Sequence, residues 1–556
     1  MISLNYFLVV LNMEYNPVKI KRNLSIGDLD AETDNEFLDT CFVDKGYLED
    51  LLDVKNPCSI IVGRTGAGKS ALLYKVSTSI DNYKKIDPND ISVKFLEHSD
   101  IIQFMDKLGV NLDLFYKMLW RHILIIELVR LRYKIKNEEE NDNFFRGLIE
   151  RFNRDEIKQK AISYFREWGD KFWLDTDEQL KQITRKLEDE TKANLGVKYS
   201  GVDVSLSGAS KLSDEQKTEI TQRASQVVSS LQIKQLNEML DMLAEYSFKD
   251  PQKHYYLLID QLDEDWADTA TRCKFIRALI EEVKGFRKVR HVKILVALRK
   301  DLIDMVFDKT RGAGFQEEKY ESYILQIHWG HEELVDLVEK RVRETFRRVY
   351  TKDQVAISDI FPEARKVAHG KTAMEYMLER TLLRPRDILQ FINETFKAGF
   401  DKDKITWTLI HEAEKTYSEK RLRSLKEEWG ETYPSFEDTI EILRGRKSTF
   451  DFSDFKNFQF EAVITKLSTK QNEDPCVITA RSYFEVNGSS EDEILSTILA
   501  CLYKVGAIGI KLETNNSFIW SYRNKSAISA GEAERANQLK IHKMLHKTLD
   551  VRSNNI

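Results

Sequence analysis

Residues 63–70 constrain the fold of this chain more than any other stretch of its sequence. They read GRTGAGKS, follow the apolar residues 59–62 and precede residues 71–73, where a helical pattern begins. Glycines at this spacing let successive backbone N–H groups turn inward around phosphate oxygens, and the following helix adds the positive end of its dipole. The pattern therefore predicts a strand, a phosphate-binding loop and a helix in direct succession.

This P-loop predicts an ATP site. Lys69 is expected to bring a positive charge to the β and γ phosphates, and the hydroxyl of Ser70 to bind Mg²⁺. ATP and Mg²⁺ are therefore the expected cofactors. The predicted nucleotide-binding residues of the loop are Gly63, Arg64, Thr65, Gly66, Ala67, Gly68, Lys69 and Ser70.

A second strand with a carboxylate at its end is expected to complete such a site. Residues 255–264 read YYLLIDQLDE, which predicts a buried parallel strand that delivers three carboxylates within five residues. Asp260 is expected to bind Mg²⁺ through water, and Asp263 or Glu264 to orient or deprotonate the attacking water. The alternative is an acidic helix start after a strand, where carboxylates favour the helix dipole.

A third predicted strand, residues 292–298, runs directly into Arg299. This arginine lies at the same carboxyl edge of the sheet, where it could reach the γ phosphate or pair with an acidic residue of the neighbouring strand. Residues 91–96 predict one more strand. Strands that alternate with helices predict a three-layer α/β domain with a parallel sheet.

Lys69 and Asp260 are 191 positions apart, far more than a strand-helix-strand crossover needs. The excess predicts a large insertion that is mainly helical, with a clear helical pattern over residues 114–132 and a charged one over 139–243. Residues 202–206 alternate in polarity and predict a short strand or hairpin. The insertion is expected to contact neighbouring subunits or another macromolecule, or to be a decorative helical cap.

A helical lid is predicted after the last strand. One helix follows Trp329, and its apolar face contains Leu334, Val335, Val338, Val342 and Phe346.

A second lid helix is expected to start at Pro385, which suits a first helical turn. Arg384 and Arg386 then lie at a helix start, where a cation needs an anionic partner. That partner is either a nucleotide phosphate or a carboxylate, from Asp387 or elsewhere in the lid.

The tail changes character from about residue 430. Residues 491–505 predict an amphipathic helix, and residues 507–523 a hairpin with its turn at 513–517, which together predict a winged-helix unit. Residues 511–556 contain eight Lys and Arg against four Asp and Glu. This basic excess allows DNA or RNA contact, and a packing or regulatory module is the alternative.

The predicted domains are an N-terminal segment (1–50), the P-loop ATPase core (51–320, with the insertion at about 100–250), the helical lid (321–425) and the winged-helix-like domain (426–556). Hydrophobic residues make up 42% and charged residues 32% of the chain, so it is expected to fold. Its few prolines and glycines favour long helices over a many-stranded sandwich or barrel.

The formal charge of −6 excludes a protein that coats nucleic acid through a global positive field. Five widely spaced cysteines predict neither a disulfide framework nor a zinc site, and fit a reducing cytoplasm. The apolar residues 6–11 are too short to span a bilayer, so no membrane span is expected. Met13 follows closely and is a candidate start of the polypeptide.

Several motifs together resemble the prokaryotic FunZ-like P-loop ATPases, relatives of the STAND and KAP branches near the AAA+ and origin-recognition ATPases. The motifs are GRTGAGKS at 63–70, LLIDQLDE at 257–264, LVALRKDL at 295–302, a W-G-x-E-E-L stretch from Trp329, RPRDILQFIN at 384–393, residues 27–34 and residues 541–546.

The resemblance implies an ATP-driven switch or motor-like regulator, found among mobile or defence-associated genes. It also implies Arg299 as the sensor-one equivalent and Arg386 as the sensor-two equivalent. Two departures are an arginine at sensor one and no clear arginine finger, which put hydrolysis between subunits in doubt.

Two functions from different classes remain. The first is an ATPase whose hydrolysis cycle remodels a partner or a nucleic acid, with a regulatory role in anti-phage defence. The second is a slow-turnover signalling scaffold, or a DNA- or RNA-binding protein, that recruits a separate effector. The expected partners are ATP, further copies of the chain or a protein encoded nearby, and a nucleic acid through the C-terminal domain.

Overall fold

In the described part of the chain, five parallel strands form one sheet, and one of these strands leads into the P-loop. The computed structural model describes residues 19–86, 99–168, 176–199, 201–262, 269–310, 317–350, 355–364, 370–455, 458–472, 474–513 and 517–553. The strands are β1 (Ile60–Gly63), β2 (Tyr83–Ile86), β3 (Tyr255–Ile259), β4 (Val292–Arg299) and β5 (Ile324–Gln326). Their order in the sheet is β2-β3-β4-β1-β5, so β4 lies between the P-loop strand and the strand that ends before Asp260.

The central strands are apolar almost throughout because both faces of the sheet are covered. Every residue of β1 and β3 is buried, and so is every residue of β4 except Arg299. Parallel registers place Ile259 beside Val296, and Gly63 beside Arg299. The carboxyl ends of these strands therefore meet at one edge, as in the predicted α/β P-loop core.

The chain divides into two compact units. The sheet unit consists of Asp44–Arg64 and Gly68–His328, and the C-terminal unit consists of Met1–Val43, Thr65–Ala67 and Trp329–Ile556. Three residues from the middle of the P-loop thus belong to the C-terminal unit. The four domain boundaries expected from the sequence stay predictions.

Helices make up most of the sheet unit outside the strands. They are α2 (Tyr47–Leu52), α3 (Lys69–Thr78), α4 (Asp100–Lys107), α5 (Asp113–Tyr133), α6 (Glu138–Arg151), α7 (Glu156–Trp168), α8 (Thr176–Leu195), α9 (Leu206–Ser210), α10 (Asp214–Ser230), α11 (Ile233–Tyr246), α12 (Thr269–Phe286) and α13 (Lys300–Lys309); α1 (Asn35–Cys41) precedes them in the C-terminal unit. The helices α4 to α11 are the predicted insertion, which is helical as expected.

One strand predicted in the insertion is wrong. Residues 202–205 form no strand, and α9 begins at the next residue. The hydroxyl of Ser205 accepts a hydrogen bond from the N–H of Gly208 at 3.2 Å, so it caps this short helix. The cap favours a helix from residue 206 onward, and this local effect is stronger than the strand preference of five residues with alternating polarity. The strand predicted at residues 91–96 lies outside the described residues.

The C-terminal unit combines helices with a small sheet. Its helices are α14 (His331–Tyr350), α15 (Ile357–Ile360), α16 (Ala373–Leu378), α17 (Pro385–Ala398), α18 (Trp407–Trp429), α19 (Phe436–Thr439), α20 (Phe458–Ser468), α21 (Pro475–Tyr483), α22 (Glu491–Val505) and α23 (Ala530–Glu534). Its strands β6 (Thr449–Phe450), β7 (Ile508–Lys511) and β8 (Gln538–Ile541) form an antiparallel sheet in the order β6-β8-β7.

The lid helices agree with the sequence patterns. Leu334, Val338, Val342 and Phe346 are buried on one face of α14, and Val335 is half-buried. The helix α17 has Arg384 as its N-cap and Pro385 in its first turn, as predicted.

The hairpin predicted over residues 507–523 is only partly present. The first arm is β7, but the second arm forms a single bridge, in which Ile519 pairs with Ile510. The main partner of β7 is β8, which the sequence analysis did not predict. The predicted turn falls partly on residues 514–516, outside the described residues. The name winged helix stays a prediction.

Candidate functional site

The P-loop has the backbone that its glycines predict. β1 ends at Gly63 and α3 begins at Lys69. Gly66 has a φ of 75° and Gly68 a φ of 94°, so both lie in the left-handed region that favours glycine. Gly68 is the N-cap of α3, and the first N–H groups of a helix have no partner within the helix itself. This backbone suits a bound anion.

The lysine of the motif folds back over the loop. Lys69 is 9% exposed, and its Nζ donates a hydrogen bond to the carbonyl oxygen of Gly63 at 3.4 Å. Ser70 is half-buried in the first turn of α3. Arg64 and Thr65, which follow β1, are half-buried as well.

Asp260 comes directly after β3, at the carboxyl end of the strand. Its Oδ1 accepts a hydrogen bond from the N–H of Gln261 at 2.9 Å, and Gln261 has a φ of 61°. A left-handed non-glycine residue at a strand end is a strained conformation, and such strain concentrates at functional sites. Asp263 and Glu264, the predicted acid–base residues, lie outside the described residues.

Arg299 ends β4 beside Gly63. Its guanidinium pairs with both carboxylate oxygens of Asp301, with Nε donating to Oδ1 at 3.1 Å. The sequence analysis had considered a phosphate or a carboxylate of the neighbouring strand as its partner. The partner shown is a carboxylate on its own segment, two residues later.

The middle of the P-loop is held through three consecutive carbonyl oxygens. Arg384 Nη1 donates to the oxygen of Thr65 at 2.8 Å, and the indole N–H of Trp329 donates to the oxygen of Ala67 at 2.8 Å. Between them, the N–H of Arg386 lies 3.4 Å from the oxygen of Gly66. All these residues belong to the C-terminal unit.

Arg384 is buried among charges that balance it. Its Nη1 donates to Glu428 Oε2 at 2.9 Å, and its Nε lies 3.3 Å from Asp387. Asp387 also pairs with Arg421 at 3.2 Å. Two cations and two anions thus share one buried network, and carboxylates are the partners of Arg384.

The pKa values of two members of this network, Arg384 and Asp387, have shifted toward the charged forms. Burial acts to lower the pKa of Arg384, but Asp387 and Glu428 raise it above its ordinary value. Burial acts to raise the pKa of Asp387, but Arg384 and Arg421 hold it below its ordinary value. Arg384 and Asp387 therefore stay ionised at neutral pH.

Arg386, the predicted sensor-two residue, bridges two segments of the C-terminal unit. Its Nε donates to the carbonyl oxygen of Leu29 at 3.1 Å. Its aliphatic stem lies over Gly66, where an added Cβ would approach Arg386 Cβ to 2.7 Å. Gly66 therefore has two reasons to be glycine, its positive φ and this close approach.

Buried side chains hold residues 26–34, the segment just before α1, in place. Arg341 pairs with Asp34 at a distance of 2.5 Å, and both side chains are 4% exposed. Asn393 accepts from the N–H of Ile26 at 3.0 Å and donates to the oxygen of Gly27 at 3.0 Å. These contacts give structural roles to Gly27 and Asp34, the first and last residues of the 27–34 motif.

The residues present fit a nucleotide with Mg²⁺. The two left-handed glycines leave the loop backbone open to phosphate oxygens, and Lys69 supplies the positive charge. The hydroxyl oxygen of Thr65 is buried and has no hydrogen-bond partner within the described part of the chain. Among those residues there is also no cluster of three or more histidine, cysteine or acidic side chains that could hold a metal by themselves.

Two contributions to this site were missed by the sequence analysis. Trp329 was read only as a marker before a helix, and Glu428 was not considered. The apolar spacing of α18 shows no sign that a carboxylate at its end is buried. An indole N–H aimed at a loop 262 positions earlier has no sequence signal.

None of the helices that the structure describes is both long enough and apolar enough to span a membrane.

Comparisons with known proteins agree with the predicted family. The family model of the FunZ-associated C-terminal helical domain matches residues 332–426. The "Putative transposon gamma-delta 80.3 kDa protein" of Escherichia coli (strain K12) is 22% identical over 522 residues, which cover 90% of this chain and 63% of that protein.

A further relative is the allergen Alt a 2 of Alternaria alternata, 30% identical over 126 residues, which are 22% of this chain and 65% of that protein. The chain therefore matches less than two thirds of the length of either relative. A solved Walker-type ATPase of Pyrococcus abyssi aligns over 91% of this chain and 95% of its own, with 13% identity and a TM-score of 0.32. Residues 332–426 match the FunZ-associated C-terminal helical domain, and this match confirms the resemblance of the chain to the FunZ-like P-loop ATPases.

Proposed function

We propose that this protein binds ATP with Mg²⁺ and hydrolyses the bond between the β and γ phosphates as part of a regulatory switch. The observation that carries the proposal is the P-loop backbone, with Gly66 and Gly68 left-handed and Lys69 opening α3. Such a loop binds phosphates through its N–H groups and the helix dipole. The matched FunZ-associated domain supports the same assignment.

Each predicted site residue has a role in this proposal. Ser70 and Asp260 hold Mg²⁺, which when bound neutralises the charge of the phosphates. Asp263 or Glu264 orients the attacking water and accepts its proton. Arg299, held by Asp301, places a fixed cation at the edge of the sheet beside Gly63.

A switch is favoured over a fast remodelling motor. The sequence offers no clear arginine finger, which a ring of subunits would need for rapid hydrolysis. Within the C-terminal unit, Arg384 and Trp329 instead contact the carbonyl oxygens of Thr65 and Ala67 in the P-loop. A nucleotide-dependent change in the loop can therefore alter the position of the helices that follow it. A signalling scaffold with slow turnover is the second candidate function.

The C-terminal domain is assigned to packing and regulation rather than to nucleic-acid contact. The helix α22 begins with Glu491, Asp492 and Glu493, and carboxylates repel a phosphate backbone. Most of the rest of α22 is buried, so it offers little surface to a groove. Lys525 pairs with Glu532 at 2.6 Å, which reduces the basic excess of the tail.

The biological setting is proposed from the name of one relative and from the state of the cysteines. A relative that is named as a transposon protein supports a role among mobile genetic elements, and a regulatory role in anti-phage defence accords with that setting. The five cysteines, all in the described part of the chain, form no disulfide, which supports the cytoplasm as the location. The effector would then be a partner protein or a further copy of the chain.

Calorimetric titration of the full-length protein tests the proposal directly. We expect ATP and ADP to bind with Mg²⁺, and AMP to bind much more weakly because it lacks the phosphates that the loop holds. Phosphate release with and without DNA or RNA then separates a basal switch from a nucleic-acid-stimulated enzyme. A protein that binds none of these nucleotides would overturn the proposal.

A further inference from the structure

A planar trans peptide unit directs its carbonyl oxygen and its N–H to opposite sides. A donor on the carbonyl of one residue therefore also fixes the direction of the N–H of the next residue. The donors on Thr65, Gly66 and Ala67 thus fix the N–H groups of Gly66, Ala67 and Gly68. These three N–H groups lie in the stretch of the motif that cradles phosphates.

From this geometry we infer that Arg384 and Trp329 are positioning residues of the nucleotide site. They hold the outer, carbonyl side of the P-loop so that its N–H groups face the phosphates, and they touch neither nucleotide nor metal themselves. This inference rests on the proposed ATP binding. It also gives Arg384 a role that differs from both alternatives raised by the sequence, a phosphate contact or a simple carboxylate pair.

The strength of the anchor follows from its surroundings. Arg384 is 2% exposed, and its two carboxylate partners Asp387 and Glu428 leave the guanidinium little freedom to turn. Leu383, just before it, has a φ of 51°, which is an unfavourable conformation for leucine. This backbone conformation sets the direction in which the chain enters Arg384. A loop that a rigid donor already holds at Thr65 loses less conformational entropy on nucleotide binding than a loop that must first be ordered.

The anchor also connects the P-loop to a distant part of the C-terminal unit. Glu428 lies near the end of α18, and Ser418 of the same helix donates to the carbonyl oxygen of Met544 at 2.5 Å. One helix thus contacts both the arginine that holds the loop and the last turns of the chain. A change in the loop can reach the C-terminal domain through these contacts.

The test compares two pairs of matched variants in the full chain. Trp329→Phe removes the indole donor and keeps an aromatic ring, and Trp407→Phe removes an indole donor that binds Glu363 at 3.3 Å, away from the loop. Arg384→Lys keeps the positive charge and loses the planar guanidinium, whose several N–H groups can bind more than one acceptor. Its control is Arg380→Lys, because Arg380 also holds one buried carboxylate, Glu414, and one backbone carbonyl.

We expect Trp329→Phe and Arg384→Lys to weaken ADP and ATP binding alike, by about tenfold each, because the cradle acts on phosphates that both nucleotides share. The control variants should keep the wild-type affinity within about twofold, a spread below the worth of one hydrogen bond. If these residues act only in folding, each variant and its control should have a lower thermal unfolding midpoint. The variant and its control would then not differ in nucleotide affinity.

Unchanged affinity in a folded Trp329→Phe protein would overturn the inference, even if Arg384→Lys does not fold. Equal losses in a variant and its control would overturn it too. Lys69→Ala keeps this result apart from the proposed function. If that variant loses ATP while Trp329→Phe keeps it, ATP binding stands and only the positioning role fails.

Discussion

The ammonium group of Lys69 lies 3.4 Å from the carbonyl oxygen of Gly63, at the opposite end of the same loop. This contact closes the P-loop into a ring of seven residues, from Gly63 to Lys69. The side chain is 9% exposed, so the charge is largely withdrawn from solvent. Burying a cation costs free energy, and a nearby anion offsets that cost. The loop therefore favours a phosphate.

Lys69→Ala should abolish ATP binding or weaken it by roughly 100-fold or more, because the charge-assisted contacts to two phosphates are lost together. Calorimetric titration measures the affinity. Lys84→Ala is the matched control, since Lys84 is an exposed lysine of β2 in the same unit. Undiminished ATP affinity in Lys69→Ala would remove the central proposal.

Asp263→Asn and Glu264→Gln should preserve nucleotide binding and slow phosphate release by roughly 10²- to 10⁴-fold for whichever residue is the base. The two variants rank the carboxylates, and exposed Glu318→Gln serves as the control. If neither variant slows turnover while Asp260→Asn does, the acidic cluster is structural and only the metal-binding carboxylate matters.

The C-terminal domain should not bind nucleic acid tightly. Fluorescence anisotropy with labelled duplex and single strands, at about 50 and about 200 mM salt, measures this affinity. Charge reversal at Lys511, Arg523 and Lys525 should change little, because Lys525 already pairs with Glu532. Tight, salt-sensitive binding that these reversals abolish would contradict the packing assignment.

His122 should make the insertion sensitive to acid. Burial first, and then the neighbouring Arg121, lower its pKa from 6.5 to about 3. The unfolded chain therefore binds more protons than the folded one between these values, so stability that is complete above pH 6.5 is lost as the pH falls. The imidazole stacks on Phe165 at 4.8 Å between ring centroids, so a phenyl ring can take its place.

His122→Phe should accordingly lose less stability than the wild type between pH 7.5 and 5, by about 2 kcal/mol at pH 5 if no other change follows. Thermal unfolding at the two pH values measures the difference. His254→Phe, at a half-buried histidine, is the control. Equal acid sensitivity in wild type and His122→Phe would show that this histidine does not govern the acid response.

Long patterned elements could be predicted from the sequence. The helix α22 spans Glu491–Val505, the same residues that the amphipathic pattern gave, and Pro385 begins α17 as its fixed φ suggests. The strands β1, β3 and β4 were predicted because buried parallel strands read as apolar runs. Pattern and tertiary structure agree wherever one face or both faces are fully buried.

The missed elements are short or polar. β2 has three exposed residues out of four, and β5 has three residues in all, so neither gives an apolar run. Both lie at the edges of the sheet, where one side needs no partner strand. The contacts of Arg384 and Trp329 with the P-loop were out of reach for a different reason, since they join positions hundreds of residues apart.

The division of the P-loop between two compact units has a consequence for how such genes diverge. Thr65–Ala67 belong with residues that the chain adds only after His328. A recombination event that replaced everything after this point with an unrelated sequence would remove the donors on three loop carbonyls at once. Arg384 and Trp329 are therefore expected to vary in step with residues 65–67 across relatives.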